Sequence, residues 1–229
     1  MNLRPSKADY QAVFHPSLTS FSTSPSVAIA LLISQPSVRL FRGYNVTMFD
    51  SVTARNIEEL VRRDFEKEYY CHLQFALEAS RDLGREFGGD PEVLHIAAIA
   101  HDIGRVKGGD NEHHAERGAE MVVPLLKDFG MEDSRISKIA SSIRMHNRNF
   151  GFKSIEEEIT SNADCLSKLL AHDSFLLMAK SDNYVERAKW GLKYVEKGYK
   201  GLTLPGLSKK HSRLYDSIRD RHLKVISGR

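Results

Sequence analysis

Cysteine is scarce in this chain: its 229 residues hold two, Cys71 and Cys165, with no C-x-x-C pair. That excludes a disulfide framework or a thiolate zinc site and fits a reducing compartment, the cytoplasm. A lone cysteine among apolar neighbours acts as a small hydrophobe, so neither is given a chemical role. Long apolar runs are missing too. The run 27–33 is far too short to span a bilayer, and it lies too far from Met1, with no A-x-A-like cleavage site following it, to form a secretory signal. Charge of one sign is absent from most of the chain. The excess of +3 comes entirely from residues 1–47, where Arg4, Lys7, Arg39 and Arg42 face only Asp9. Residues 48–229 are balanced, so net charge gives no warrant for a nucleic-acid partner, and no membrane partner is expected. Period-two alternation, the mark of a half-buried strand, is also lacking after Ser51.

What remains is helical patterning. Residues 1–47 hold four of the seven prolines and eight serines. Such a composition cannot support a packed core, so the stretch is expected to be a disordered leader, or sequence upstream of a true start at Met48. Residues 48–229 form one all-α domain. Ile57, Leu60, Val61, Phe65, Tyr69, His72, Phe75, Ala76, Ala79 and Leu83 recur at steps of three or four, predicting one long helix ending near Gly84. After Gly88-Gly89-Asp90, Pro91 opens a second helix whose apolar stretch 93–103 predicts burial on most sides, with Gly104 as its cap. A third carries Ala115, Gly118, Val122 and Leu126, with Pro124 expected to kink or divide it. Two more carry Ile136, Ile139 and Ile143, then Ile155, Ile159, Ala163 and Leu166. Helical patterning continues over 180–226, broken at Leu202 to Leu207. These last helices could cover the bundle, line a substrate entrance or form a homodimer face, and the pattern allows all three.

Polar residues of one kind interrupt the stripes: His72, His101-Asp102, His114 and His146, with Asp164 at the edge of another stripe. Singly, each has a plain structural explanation, because a histidine on an apolar face is usually a hydrogen-bonded core residue. The doublet carries more information. It follows Ile96-Ala97-Ala98-Ile99-Ala100, where an ionised carboxylate is costly without a partner and where a helix C-terminus favours a cation. His113 competes with His114 for the inward position. Imidazole and carboxylate without thiolate suit Mn, Fe, Co, Ni, Mg or Zn, and such a set usually activates water rather than holding a fold together.

In Tyr70-Cys71-His72, Ala100-His101-Asp102-Ile103-Gly104-Arg105, His114-Ala115-Glu116-Arg117-Gly118-Ala119-Glu120, Ile143-Arg144-Met145-His146 and Asn162-Ala163-Asp164-Cys165-Leu166, the chain resembles the HD superfamily of metal-dependent phosphohydrolases. The resemblance covers about residues 55–175. It implies a single HD-type helical bundle with a divalent metal held by His72, His101, Asp102 and Asp164. His114 and His146 then either bind a second metal or contact substrate phosphate, giving one or two ions per chain. Asp164 is selected on this basis and not by helical spacing. A second dipeptide, His172-Asp173, lacks the surrounding pattern and is expected at the surface.

Phosphoester hydrolysis is the reaction such a site favours, with Asp102, His114 and His146 as catalytic candidates. Substrate phosphate needs cations; of Arg105, Lys107, Arg117, Arg144 and Arg148, the first two and Arg148 lie best placed beside the motifs. The segment after His146 lacks the G-Y-P tripeptide of the cyclic dinucleotide branch. Arg105 stands where the deoxynucleoside monophosphatase branch has an acid, so no general acid or base is assigned; Asp110, Glu116 and Glu120 are available. The expected activity is hydrolysis of a small phosphoester, a nucleotide or related compound, by a phosphomonoesterase or phosphodiesterase. A regulatory nucleotide-binding protein without turnover and a di-iron oxygenase are the alternatives.

Overall fold

The computed structural model describes residues 51–106, 112–179 and 181–228. The expectations for the leader 1–47, for Lys107 and for Asp110 fall outside these residues. The described residues form helices and no strand, as the patterning predicts. They are α1 (Val52–Asp64), α2 (Lys67–Phe87), α3 (Pro91–Ala100), a 3₁₀ turn (Ile103–Arg105), α4 (His114–Asp128), α5 (Asp133–Met145), α6 (Ile155–Leu170), α7 (His172–Leu177), α8 (Tyr184–Lys200) and α9 (Leu207–Ser227). None is long and apolar enough to cross a membrane.

Local chemistry sets several starts. The side chain of Asp90 accepts from the amides of Glu92 and Val93 ahead of Pro91, and Ser154 accepts from Glu157 N. Asn183 accepts from Val185 and Glu186. Each satisfies helix N–H groups that have no carbonyl partner. Packing then decides the arrangement. Helices α1 to α5 share one apolar core around Ile57, Leu73, Ile96, Ile99, Ile139 and Ile143. A second core joins α2 and α6 to the α8–α9 linker through Leu83, Ile159, Leu166, Leu202 and Leu204. Helix α6 is buried along nearly its whole length, and α8 packs against it closely. A Cβ at Gly198 would lie 2.7 Å from the carbonyl oxygen of Cys165, so only glycine permits that approach.

Four expectations are corrected. The long first stripe is two helices, parted at Phe65, whose backbone is extended. Periodicity reports which face is buried and is silent on whether the backbone ladder is unbroken. Pro124 does not divide α4; it lies on the exposed side, as does Glu120, whose carbonyl it deprives of a helix partner. Gly104 is no helix cap, since α3 stops at Ala100 with His101 as its C-cap. And His172 is buried, not at the surface. Its Nε2 lies 2.7 Å from Nε2 of His222 on α9, and its Nδ1 lies 3.0 Å from Asp173 Oδ1.

Candidate metal centre

Five elements bring their ends or inner faces to one point. His72 comes from α2, His101 from the C-cap of α3, Asp102 from the residue after it, His114 from the first turn of α4, His146 from the C-cap of α5 and Asp164 from α6. All six are buried. In one half, His72 Nε2 stands 3.2 Å from His101 Nε2 and 3.4 Å from Asp164 Oδ1, and Asp102 Oδ2 lies 3.4 Å from His101 Nε2. In the other half, His114 Nε2 lies 3.1 Å from both His146 Nε2 and Asp102 Oδ1. Asp102 therefore gives one oxygen to each half. His114 faces the cage, whereas its neighbour His113 is exposed at the N-cap.

Hydrogen-bond partners on the far side fix the ring tautomers. His101 Nδ1 donates to Ala98 O at 2.8 Å, and His146 Nδ1 to Ile143 O at 2.7 Å. His72 Nδ1 meets Ser167 Oγ at 2.7 Å; that hydroxyl spends its own hydrogen on Asp164 O at 2.6 Å, so here too Nδ1 donates. With Nδ1 committed outward, each ring in its neutral form turns an Nε2 lone pair inward. Two lone pairs 3.2 Å apart, with a carboxylate oxygen beside them, repel unless a positive charge lies among them, either a metal ion or, without one, the proton that Asp102 and Asp164 hold on His101. This outer anchoring is also how metal-bound histidines are held. Two nitrogens about 2.1 Å from one ion lie roughly 3.0–3.4 Å apart at ordinary coordination angles, so the His72–His101 spacing fits. The residues present suit a divalent ion bound by nitrogen and oxygen.

Electrostatics show the same demand for positive charge. Burial opposes protonation of His101, yet Asp102 and Asp164 carry it up to about 10, while burial pushes His72 down to about 4 and also lowers His146. Burial disfavours the carboxylates, but His101 beside Asp102 and Lys168 beside Asp164 hold both well below the usual range. Arg105 Nε donates to Asp102 Oδ1 at 2.7 Å, and its Nη2 lies 3.1 Å from His114 Nε2. Tyr69 donates to Asp102 Oδ2, and Lys168 Nζ donates to Asp164 Oδ2.

Of the other candidates, Arg105 stands at the cage with its side chain 28% exposed. Arg148 does not pair with it; Arg148 lines a cleft of about 290 Å³ with Met145, Asn147 and Phe150, beside the residues that bracket His114 and His146. Arg117 donates to Gly104 O, and Arg144 pairs with Glu116, which is thereby engaged. Glu120 is exposed. Burial pushes the Cys165 thiol up to about 11, in keeping with a packing role. Helical spacing missed Tyr69, Ser167, Lys168 and Tyr194. Lys168 had a signal, a charge four residues after Asp164 on a buried helix. Tyr194 had none, because it reaches the centre from α8, its ring tilted against Phe175 at 4.4 Å, which itself packs 4.7 Å from His72.

Comparison with known proteins agrees with this geometry. The HD domain family matches residues 69–169. Bifunctional uridylyltransferase/uridylyl-removing enzymes of Bordetella pertussis, Bordetella parapertussis and Bordetella bronchiseptica are each 26% identical over 115 residues, 50% of this chain. The chain covers only 12% of the length of those relatives. No solved structure matches. The His and Asp cage lies within the stretch that matches the HD domain family, residues 69–169.

Proposed function

We propose that this protein hydrolyses a phosphoester in a small anionic compound, a nucleotide or a relative of one, in the cytoplasm. A single observation supports the reading most strongly: inward lone pairs and two carboxylates share one space, with a partly exposed guanidinium at its edge. His72, His101, Asp102 through Oδ2 and Asp164 through Oδ1 would hold one divalent ion. That ion, when bound, supplies an activated water at neutral pH and a charge against a phosphoryl oxygen.

The chain's own residues do the rest. Arg105, braced on Asp102 at 2.7 Å, turns a fixed donor fork toward the half lined by His114 and His146. A guanidinium there disfavours a second cation and suits a phosphate oxygen. It also gives His114 the partner that a second ion would otherwise have provided. His146, kept neutral by burial, offers a lone pair to a hydroxyl or water in the same half. Asp102 links the two halves, so water and phosphate are held on either side of one carboxylate. All six side chains come from one chain, and the proposal needs no second subunit.

The test is a phosphate-release screen of the protein loaded with Mn, Fe, Co, Ni, Mg or Zn against nucleotides, dinucleoside polyphosphates and sugar phosphates. Release by wild type that His101→Ala and Asp102→Ala abolish is the expected result. Oxygen consumption by an iron-loaded protein without phosphate release would point to oxygenase chemistry. Metal and nucleotide binding with neither activity would point to a regulatory protein.

A further inference from the structure

Both carboxylates of the cage carry a counter-charge from their own segment of chain. Arg105 serves Asp102 from three residues on, and Lys168 serves Asp164 from four residues on. An exposed pair at that spacing contributes little and needs no explanation. Lys168 differs because it is 5% exposed and its partner is a candidate ligand. Its Nζ donates to Asp164 Oδ2 and lies 3.2 Å from Asp164 O and 5.9 Å from the centre of the Tyr194 ring. An ammonium is removed from water at a large cost unless its charge is answered. It also stands where it repels any cation bound by Asp164. A protein selected only to hold metal would not keep it there.

Charge balance gives a reason. Two carboxylates and two side-chain cations balance, and a bound ion takes the place of the proton that His101 carries without it, so one divalent ion leaves the cage doubly positive. A phosphate dianion matches that charge. We propose that Lys168 is a positioning residue of the metal centre: it occupies Oδ2 of Asp164, leaves Oδ1 as the one free ligand oxygen, and keeps the loaded cage cationic enough to receive a doubly charged anion. Metal affinity is lowered and anion affinity raised by the same ammonium. The inference rests on the phosphohydrolase reading above.

The two effects have opposite signs, which separates this role from a structural one. Wild type, Lys168→Met and Lys168→Arg are compared for Mn²⁺ affinity by chelator competition and for inorganic phosphate binding to the Mn²⁺-loaded protein by calorimetry. Lys168→Met is expected to bind Mn²⁺ at least about tenfold more tightly and phosphate about tenfold more weakly, with Lys168→Arg close to wild type in both. A lysine that merely supports the fold would weaken both on removal. If Lys168→Met does not fold, Lys168→Gln, which keeps a donor to Oδ2 without the charge, is expected to show the same pair of changes. Unchanged or weaker Mn²⁺ binding in a folded neutral variant overturns the inference. Wild type that binds no Mn²⁺ and releases no phosphate overturns the functional reading itself, whereas active wild type beside an unaltered Lys168→Met overturns only the role of Lys168.

Discussion

Gly104 and His114 meet backbone to backbone: a Cβ on Gly104 would fall 2.0 Å from the carbonyl oxygen of His114 and 2.6 Å from the amide of Gly118. The 3₁₀ turn after the His101-Asp102 doublet therefore lies directly on the first turn of α4. That contact sets the distance from Asp102 Oδ1 to His114 Nε2 at 3.1 Å. The glycine is a spacing device for the cage, acting through the main chain.

Gly104→Ala should force the turn and α4 apart, because backbone cannot yield as a flexible side chain can. The expected cost is about 3 kcal/mol, a fall in Tm of roughly 6–12 °C, with weaker phosphate binding as His114 moves off Asp102. Thermal unfolding and phosphate titration check this. An unaltered Tm would mean that the turn has slack the packing does not show.

The two His-Asp dipeptides should separate cleanly. His101→Ala and Asp102→Ala are expected to abolish bound metal as measured by elemental analysis. His172→Ala should keep the metal and lose about 1–3 kcal/mol of stability, since His222 Nε2 is left buried without its partner. Asp173, half exposed, should matter less. Metal loss on changing His172 would contradict the assignment of the ligand set.

Stoichiometry tests the division of the cage into a metal half and a phosphate half. Saturated wild type is expected to hold one ion per chain. His114→Ala and His146→Ala should still hold one, while phosphate binds about tenfold or more weakly and turnover falls. Two ions in wild type, reduced to one in either variant, would establish a dinuclear centre instead.

The His172–His222 contact should contribute to acid sensitivity. Burial, with His172 from α7 and Arg221 on α9 beside it, pushes His222 down to about 4, and only Asp173 opposes this. Its unfolded value is about 6.5. Between those values the unfolded chain binds more protons than the folded one, so stability falls as pH drops from about 6.5 to 4, by at most about 1.4 kcal/mol per pH unit for this group. His222→Gln should show a shallower decline than wild type over that window in pH-dependent unfolding. Parallel curves would exclude the contribution.

Much of the fold is legible without coordinates because burial imposes periodicity on sequence. The stripe through Ile136, Ile139 and Ile143 gives α5, Asp90-Pro91 gives the start of α3, and Pro205-Gly206 separates α8 from α9. The break at Phe65 is not legible, since the same face stays buried on both sides of it. Among site residues, His72, His101, Asp102, His114, His146 and Asp164 announce themselves as polar groups within or beside apolar stripes, in an order that matches a family pattern. Arg148 is near them in sequence and lines a cleft with the residues that flank His114 and His146. The burial of His172 is not legible in the sequence because it depends on α9, fifty residues away.

Taken alone, the sequence determined the helical class and the set of imidazole and carboxylate groups, because residue type and local period carry that information directly. It could not determine which nitrogen each ring presents, since the answer lies in Ala98 O, Ile143 O and Ser167 Oγ. Nor could it show that Lys168 neutralises Asp164 inside the core, or that Tyr194 reaches the centre from α8. The Ser167 and Tyr194 contacts are set by how α2 and α8, distant in the chain, pack against α6, and they leave no period in the sequence. Ala98, Ile143 and Lys168 lie within three or four residues of their partners, but the side-chain rotamers that make those bonds are chosen by the packing.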